Sequence, residues 1–407
     1  MNLLFAWRYF RAKKSTNAIN IIAWVSMAAI VVGAASLVLV LSVFNGFEGL
    51  VKSLYKDFYP DLKISPSKGK TITLSPAQLQ QLAGMPGVSS LSLVAEEKAL
   101  LQNGDARAIA NLKGVDEHFT RVSGIAHKVI RGKFELGTAD QPMAVLGSGI
   151  EYMLGLQAER AISPVSVYLF KRGGAAYTAD PLSSLSNENM ATAGVFAIQQ
   201  DFDDHYVITN LDFMRKMLAL GPDEYSGAEL SLNDPSLAAS LKQGIQKFLG
   251  QDYLIQTRYE QNQSLYSVMV KEKWVIYIVL SLILVVAAFN MVGALTMLVL
   301  EKQKDIHVLK ALGASDRMVQ NIFLSEGVLL ALLGGLSGIL LAVIVCWLQV
   351  RYKLIPLEGG SFLIDYYPVK LIPTDILLVL LTILIVALLA SWLPAKKAAA
   401  QPIELRS

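Results

Sequence analysis

Three carboxylates fall within four positions, Asp201, Asp203 and Asp204 in the run QQDFDDHY, and the chemistry such a group could support is cation binding. The rest of a calcium loop is missing, so the run reads as a solvated turn. His118, His127, His205 and His307 are too scattered along the chain to share a metal. The single cysteine, Cys346, sits in an apolar run, which excludes a disulfide framework and fits a small packing residue. No GxSxG elbow, HExxH helix or GxxxxGK[ST] phosphate loop occurs, so the chain carries neither a nucleophile, a zinc helix nor a nucleotide cradle of the usual kinds. A non-catalytic protein that binds no cofactor of its own is expected.

The other polar stretch that stands out is residues 301–326, EKQKDIHVLKALGASDRMVQNIFLSE, an island between two strongly apolar runs. Ile306, Val308, Leu309 and Leu312 recur at roughly helical spacing among Lys302, Lys304, Asp305 and Lys310, which predicts a short helix lying beside a bilayer. Gly313 is placed to end it in a left-handed turn, and Ser315 followed by Asp316 can cap the next helix. A tight helix-turn-helix on one membrane face results, joining two long spans.

What positions this elbow is the apolar remainder of the chain. Of 407 residues, 53% are hydrophobic and 17% charged, with a mean hydropathy of +0.45. That is too apolar for a water-soluble protein and too polar for one buried wholly in lipid, so a membrane protein with a large water-exposed domain is expected. The net charge of +3 is dispersed, and no Lys and Arg run interleaved with aromatics marks a nucleic-acid surface.

Residues 1–17 mix Trp7, Tyr9 and Phe10 with Arg8, Arg11, Lys13 and Lys14, the pattern of an interfacial helix. The run 18–44 is too long for a signal-peptide core and reads as a first span; 274–300, 327–348 and 372–393 supply three more. Cations before the first span and at Lys396, Lys397 and Arg406 place both termini in the cytoplasm, with the tail 394–407 and the elbow on the same side. Residues 45–273 and the short loop 349–371 then lie outside. The fold class is an α+β membrane protein: four transmembrane helices with a large mixed α/β extracytoplasmic domain between the first and second.

Within the outer segment, 61–65 reads as a strand, Ser75 and Pro76 cap a helix reaching residue 83, and 88–94 reads as a second strand. The same order returns as strand 228–232, a helix opened by Asp234 and Pro235, and strand 253–257. The two units could pair as halves of one subdomain. Asn103-Gly104 signals a hairpin. Residues 171–192, KRGGAAYTADPLSSLSNENMAT, read as an exposed loop between strands 165–170 and 194–198. Inside the spans, Ser26, Ser36, Ser42, Asn290 and the Gly334/Gly338 pair favour close helix packing, and Asn290 is expected to face another helix or a cavity.

One span, a large outer domain, three spans and the elbow sequence EKQKDIHVLKALGAS together resemble the FtsX and MacB superfamily of ABC permeases. Four stretches resemble its lipoprotein-releasing branch, the LolC and LolE type: WRYFRAKKS at 7–15, LSVFNGFE at 41–48, VVAAFNMVGALTMLVLEKQKDI at 285–306 and LPAKKAAAQPIELR at 393–406. The resemblance implies a bacterial inner-membrane permease subunit working with two copies of a LolD-like ATPase, which holds the ATP and Mg2+, and with a second permease subunit, identical or related. It implies that Asp305, Ile306, Leu309, Lys310, Leu312, Gly313, Ala314 and Ser315 form the helix that couples to the ATPase. It further implies extraction of lipoproteins from membrane lipid and transfer to a periplasmic LolA-like carrier, with acyl chains held around Val40, Phe44, Phe47, Phe289, Asn290 and Val292. Apolar walls suit that role, since burying an acyl chain gains about 0.8 kcal/mol per methylene. The carrier-binding place would be the loop bearing Lys171, Tyr177, Pro181 and Leu182, although apart from Pro181 it does not match the hook of LolC-type subunits. Two alternatives stay open: an FtsX-like transducer that activates a cell-wall hydrolase, and a MacB-like efflux permease, whose relatives carry their ATPase in the same polypeptide.

Overall fold

The apolar run 18–44 and the charged stretch after it form one helix, α1, Asn17–Phe58, so the helix outlasts the apolar run by fourteen residues. The computed structural model describes residues 17–156, 164–170, 185–357, 364 and 366–401. They fall into two units, a helical bundle of residues 17–50, 267–357 and 366–401, and an α/β unit of residues 51–266.

In chain order the α/β unit comprises β1 Leu62–Pro66, β2 Ile72–Thr73, α2 Pro76–Ala83, β3 Val88–Asn103, β4 Ala106–Val115, β5 Val129–Gly132, β6 Met143–Gly147, β7 Val165–Phe170, β8 Leu185–Phe196, β9 Tyr206–Asn210, α3 Leu211–Leu218, β10 Glu224–Tyr225, β11 Gly227–Leu232, α4 Ala238–Leu249 and β12 Tyr253–Thr257. Helix α2 starts where Ser75 accepts from the Gln78 amide while the Gln78 side chain accepts from the Ser75 amide, with Pro76 as the first helical residue. The strands run β12-β1-β11-β3-β4-β9-β6-β8-β5. The two strand-helix-strand units therefore interleave in one sheet, with Leu82 of α2 and Ile245 and Leu249 of α4 packed into the same core as Leu62, Ile64 and Leu230. Strand β7 pairs with both β3 and β8, which closes β3, β4, β9, β6, β8 and β7 into a ring.

Three expectations change. The hairpin loop is Gly104 and Asp105, because Asn103 already pairs with Ala106; Gly104 takes the positive φ of +60° that the first loop position needs. The polar run 185–192 is not loop but the start of β8, held by pairing with β7 from Phe170↔Leu185 to Val165↔Met190. Met190 of its first half turns into the core and Ser186 on the same side donates to the Met217 sulfur at 3.3 Å, whereas Asn187 and Asn189 are exposed on the other side; strand pairing overrides the turn preference of these residues. Lys171, Tyr177, Pro181 and Leu182 lie outside the described residues. Finally, Asp203 is not in a solvated turn. It ends a short helix, Gln200–Asp203, is buried, and accepts from the Ile198 amide at 2.9 Å.

The bundle is built from α1, α5 Gln263–Glu301, α6 Gln303–Ala311, α7 Asp316–Tyr352 and α8 Pro373–Ala399. Four of these, α1, α5, α7 and α8, are long and apolar enough to cross a membrane. Glycines let them approach. A Cβ on Gly334 or Gly338 would run into α1 at Ile30, Val31 and Ala34, and one on Gly327 or Gly335 into α8 at Ser391 and Ile383. Cys346 is buried. Ser26 and Ser42 are buried in the bundle, as close packing requires, and their hydroxyls donate to the carbonyls of Ile22 and Val38 one turn back in their own helix.

Candidate functional site

Helix α6 ends at Ala311, the Gly313 φ of +95° turns the chain, and Ser315 accepts from the Met318 amide at 3.3 Å to start α7. The elbow is tied down by Lys310. Its ammonium donates to the carbonyls of Ala399 (2.6 Å) and Gln401 (2.8 Å) at the end of α8 and lies 2.7 Å from the Asp316 carboxylate. Cationic charge on the last carbonyls of a helix is a favourable placement. Ile306 is buried in the bundle, whereas Val308 and Leu312, one turn apart, stand 59% and 81% exposed. The elbow thus presents an apolar ridge of Val308 and Leu312, Leu309 half-buried beside it, with Asp305, Gly313 and Ser315 exposed and Ala314 half-buried. Lys310 faces inward, away from that ridge.

The six apolar-site residues do not converge. Gly33 of α1 lies against Leu284 of α5, and Asn45 bonds Lys273, so the two helices run antiparallel. Phe44 lies eleven residues one way from that crossing and Phe289 five residues the other, a separation of roughly 24 Å at about 1.5 Å per residue. Val40 is exposed and Phe44 half-buried, while Phe47 packs edge-on against Tyr367 at 5.8 Å. Phe289 and Val292 instead share an apolar groove of about 200 Å³ with Val285 and with Val386, Leu389 and Leu393 of α8. Asn290 is exposed rather than packed, and lies seven residues from Ile283, whose side chain borders Gly33; it therefore sits on the α1 flank of α5.

Residues 23–248 match the MacB-like periplasmic core domain family, more than half of the 407 residues. The chain belongs to that family. Residues 277–403 match the FtsX-like permease C-terminal family, which takes in α6 and most of the bundle. Along its whole length the chain is similar to the Haemophilus influenzae "Lipoprotein-releasing system transmembrane protein LolE", at 28% identity over 99% of this chain and 98% of that one. It is 27% identical to the protein named LolC in Xylella fastidiosa strain Temecula1, with 99% and 98% covered, and 27% identical to LolC of Neisseria meningitidis, with 98% of each covered.

In this MacB-like chain the LSVFNGFE motif has a structural job that sequence reasoning missed. Asn45, 2% exposed, donates to Asp375 at 2.7 Å and accepts from Lys273 at 2.9 Å, while Lys273 also lies 2.9 Å from Asp375. One cluster thereby joins α1, α5 and α8. Gly46 leaves room for the backbone at Pro368 and Val369, and the Lys370 amide donates to the Ser42 carbonyl at 2.9 Å. The available signal was weak: Lys273 and Asp375 stand at the edges of apolar runs, where a solvated charge is the ordinary outcome.

The α/β unit hides a second ionic group, on one face of β1, β11, β3 and β4. Lys113 and Glu229 pair at 2.7 Å with almost no exposure, and the ammonium also lies 5.4 Å and 5.0 Å from the ring centres of Phe58 and Phe119. Beside them Lys63 and Glu96 approach to 3.8 Å. Burial works against the Lys63 charge, but Glu96 and Glu229 outweigh it and hold its pKa above the ordinary lysine value. Phe202 stacks on Phe58 with ring centres 4.2 Å apart, and burial raises the pKa values of the Tyr59 and Tyr206 hydroxyls above the ordinary tyrosine value. These residues form a structural seat for the end of α1.

Proposed function

We propose that this chain is the membrane-embedded permease subunit of an ABC transporter that releases lipoproteins from a bacterial inner membrane. The names of the relatives aligned along the full chain support the cargo, and the elbow's exposed Val308 and Leu312 carry the mechanism. An apolar pair on a polar, rigidly anchored elbow needs a partner surface to cover it. In this reading that partner is a separate ATPase, two copies of which hold ATP and Mg2+ and push on α6; because α6 is joined directly to α5 and α7, the push moves the bundle. The termini and elbow are cytoplasmic and the α/β unit periplasmic. A second permease subunit, identical or related, completes the passage.

Cargo acyl chains are assigned to the α1 flank of α5, where Val40, Phe44 and Asn290 are accessible and Phe47 stands near one end. Delivery is to a soluble periplasmic carrier, which the segment bearing Lys171, Tyr177, Pro181 and Leu182 would receive. The test is Leu312→Asp, alone and with Val308→Asp, in the complex reconstituted with its ATPase. ATP hydrolysis that no longer drives lipoprotein release, in a protein that still inserts, is the expected result. Release at the original rate by the double variant would remove the elbow from the mechanism. Co-purification of a cell-wall hydrolase in place of lipoproteins would favour the transducer reading.

A further inference from the structure

Helices α5 and α8 run side by side in the same direction and are joined at one end but not the other. Lys273, well inside α5, bonds Asp375 near the start of α8, and further along both helices the Tyr277 and Thr382 hydroxyls meet. Beyond that the helices part into the groove lined by Val285, Phe289 and Val292 on one side and Val386, Leu389 and Leu393 on the other, about 200 Å³ with no polar side chain in its walls. Phe289, 70% exposed, forms its rim. On α8 the groove face continues, at helical spacing from Leu389 and Leu393, into Lys396 and Lys397. Trp392 is exposed beside them, with the Lys396 ammonium 5.8 Å from its ring centre. Among the described residues neither lysine forms an ion pair.

We infer that this groove is a binding site for an anionic phospholipid, one acyl chain lying between α5 and α8 and the phosphate held by Lys396 and Lys397 beside Trp392. An apolar slot leading to paired cations and an interfacial tryptophan matches the two ends of such a lipid and no other membrane component as well. The Tyr277 and Thr382 contact closes the far end, so the chain enters from the lysine end. A second copy of the protein is the poorer occupant. Inserted with the same orientation, it would bring its own Lys396 and Lys397 to the same depth, placing like charges together. The site is separate from the α1 flank assigned to cargo. It rests on the reading of α5 and α8 as membrane-spanning helices, which extraction of membranes with alkaline carbonate tests independently.

The experiment is native mass spectrometry of the full chain exchanged into nanodiscs of phosphatidylglycerol and phosphatidylcholine in equal amounts. The expected spectrum shows one retained phosphatidylglycerol per chain in preference to phosphatidylcholine. Lys396→Gln with Lys397→Gln should cut that preference on the order of tenfold, since two cations at the headgroup level are removed. Leu389→Trp should fill the groove and reduce retention of both lipids, in protein whose elution volume is unchanged. Equal retention of the two lipids by the unmodified chain would overturn the proposal, as would a preference that survives the double lysine substitution. A Phe289→Cys to Phe289→Cys crosslink between two chains in a Cys346→Ala background would assign the groove to a second copy instead. Protein stripped from the membrane by carbonate would count against the spanning helices themselves, and so against the proposed function as well.

Discussion

The Lys113 ammonium lies 2.7 Å from a Glu229 carboxylate oxygen across β3, and the two side chains are 3% and 1% exposed. The second Glu229 oxygen, Oε2, has no hydrogen-bond partner among the described residues. Desolvating two charges is costly, and their attraction offsets that cost only while both are present. Lys113→Met alone should therefore destabilise the α/β unit by about 3–5 kcal/mol, whereas Lys113→Met with Glu229→Leu should recover most of the loss. Thermal unfolding of the detergent-solubilised chain distinguishes them; equal losses in the single and double variants would mean that the packing of Phe58 and Phe119, not the ion pair, sets the stability here.

Burial lifts the Asp203 carboxyl from 3.8 to about 6, more than its bonds from the Ile198 and Gln199 amides and Ser148 can offset. The folded chain then binds this proton more tightly than the unfolded chain does. Stability from this group is fully present below about pH 4 and is lost as pH rises through about 6, by up to about 3 kcal/mol. Asp203→Asn should remove that slope. Melting temperatures of both proteins between pH 4 and 7 should diverge as pH rises; parallel curves would show that Asp203 is not the titrating group. Asp234 and Glu260, whose carboxyls are held below their ordinary values, act at lower pH and in both proteins alike.

The cluster of Asn45, Lys273 and Asp375 predicts a charge-swap rescue. Asp375→Asn weakens the charge-assisted bonds from Lys273 and Asn45 in a half-buried place and should cost about 1.5–3 kcal/mol. Lys273→Asp should cost more, since it sets two carboxylates together, and combining it with Asp375→Lys should restore part of the melting temperature. No recovery in the combined variant would show that Asn45 fixes the polarity of the cluster or that the charges do not couple.

Lys310 and Leu312 lie two residues apart yet should fail in different ways. Lys310→Ala removes the donor to the Ala399 and Gln401 carbonyls and to Asp316, and is expected to lower the melting temperature by several degrees. Leu312→Asp changes an exposed residue and should leave melting within about 0.5 kcal/mol of the original while abolishing coupling. Matching stability losses in the two variants would contradict the division between an anchor and a contact ridge.

Much of the architecture depends on short-range chemistry, and the sequence alone determined that part. Apolar runs of span length, the Ser75 and Ser315 caps and the turn at Gly313 each need only neighbours within a few positions, so periodicity and capping rules reach them. The elbow was legible for the same reason. What a side chain faces depends on residues far away in the chain, and there only the tertiary structure decided. Asn290 is polar in an apolar run and so ought to be packed, but the crossing of α5 with α1 at Gly33 and Leu284 turns it outward. Phe289 and Phe44 look equivalent as aromatic residues in apolar helices; the antiparallel course of α1 and α5 sets them far apart and gives Phe289 to α8. Lys310 reads as part of the coupling helix's contact surface until the end of α8 arrives beside it. Residues 185–192 have loop composition, and the backbone of β7 makes them strand. In each case the local preference is worth less than the long-range pairing or packing that overrides it, and one sequence does not record which distant partner that will be.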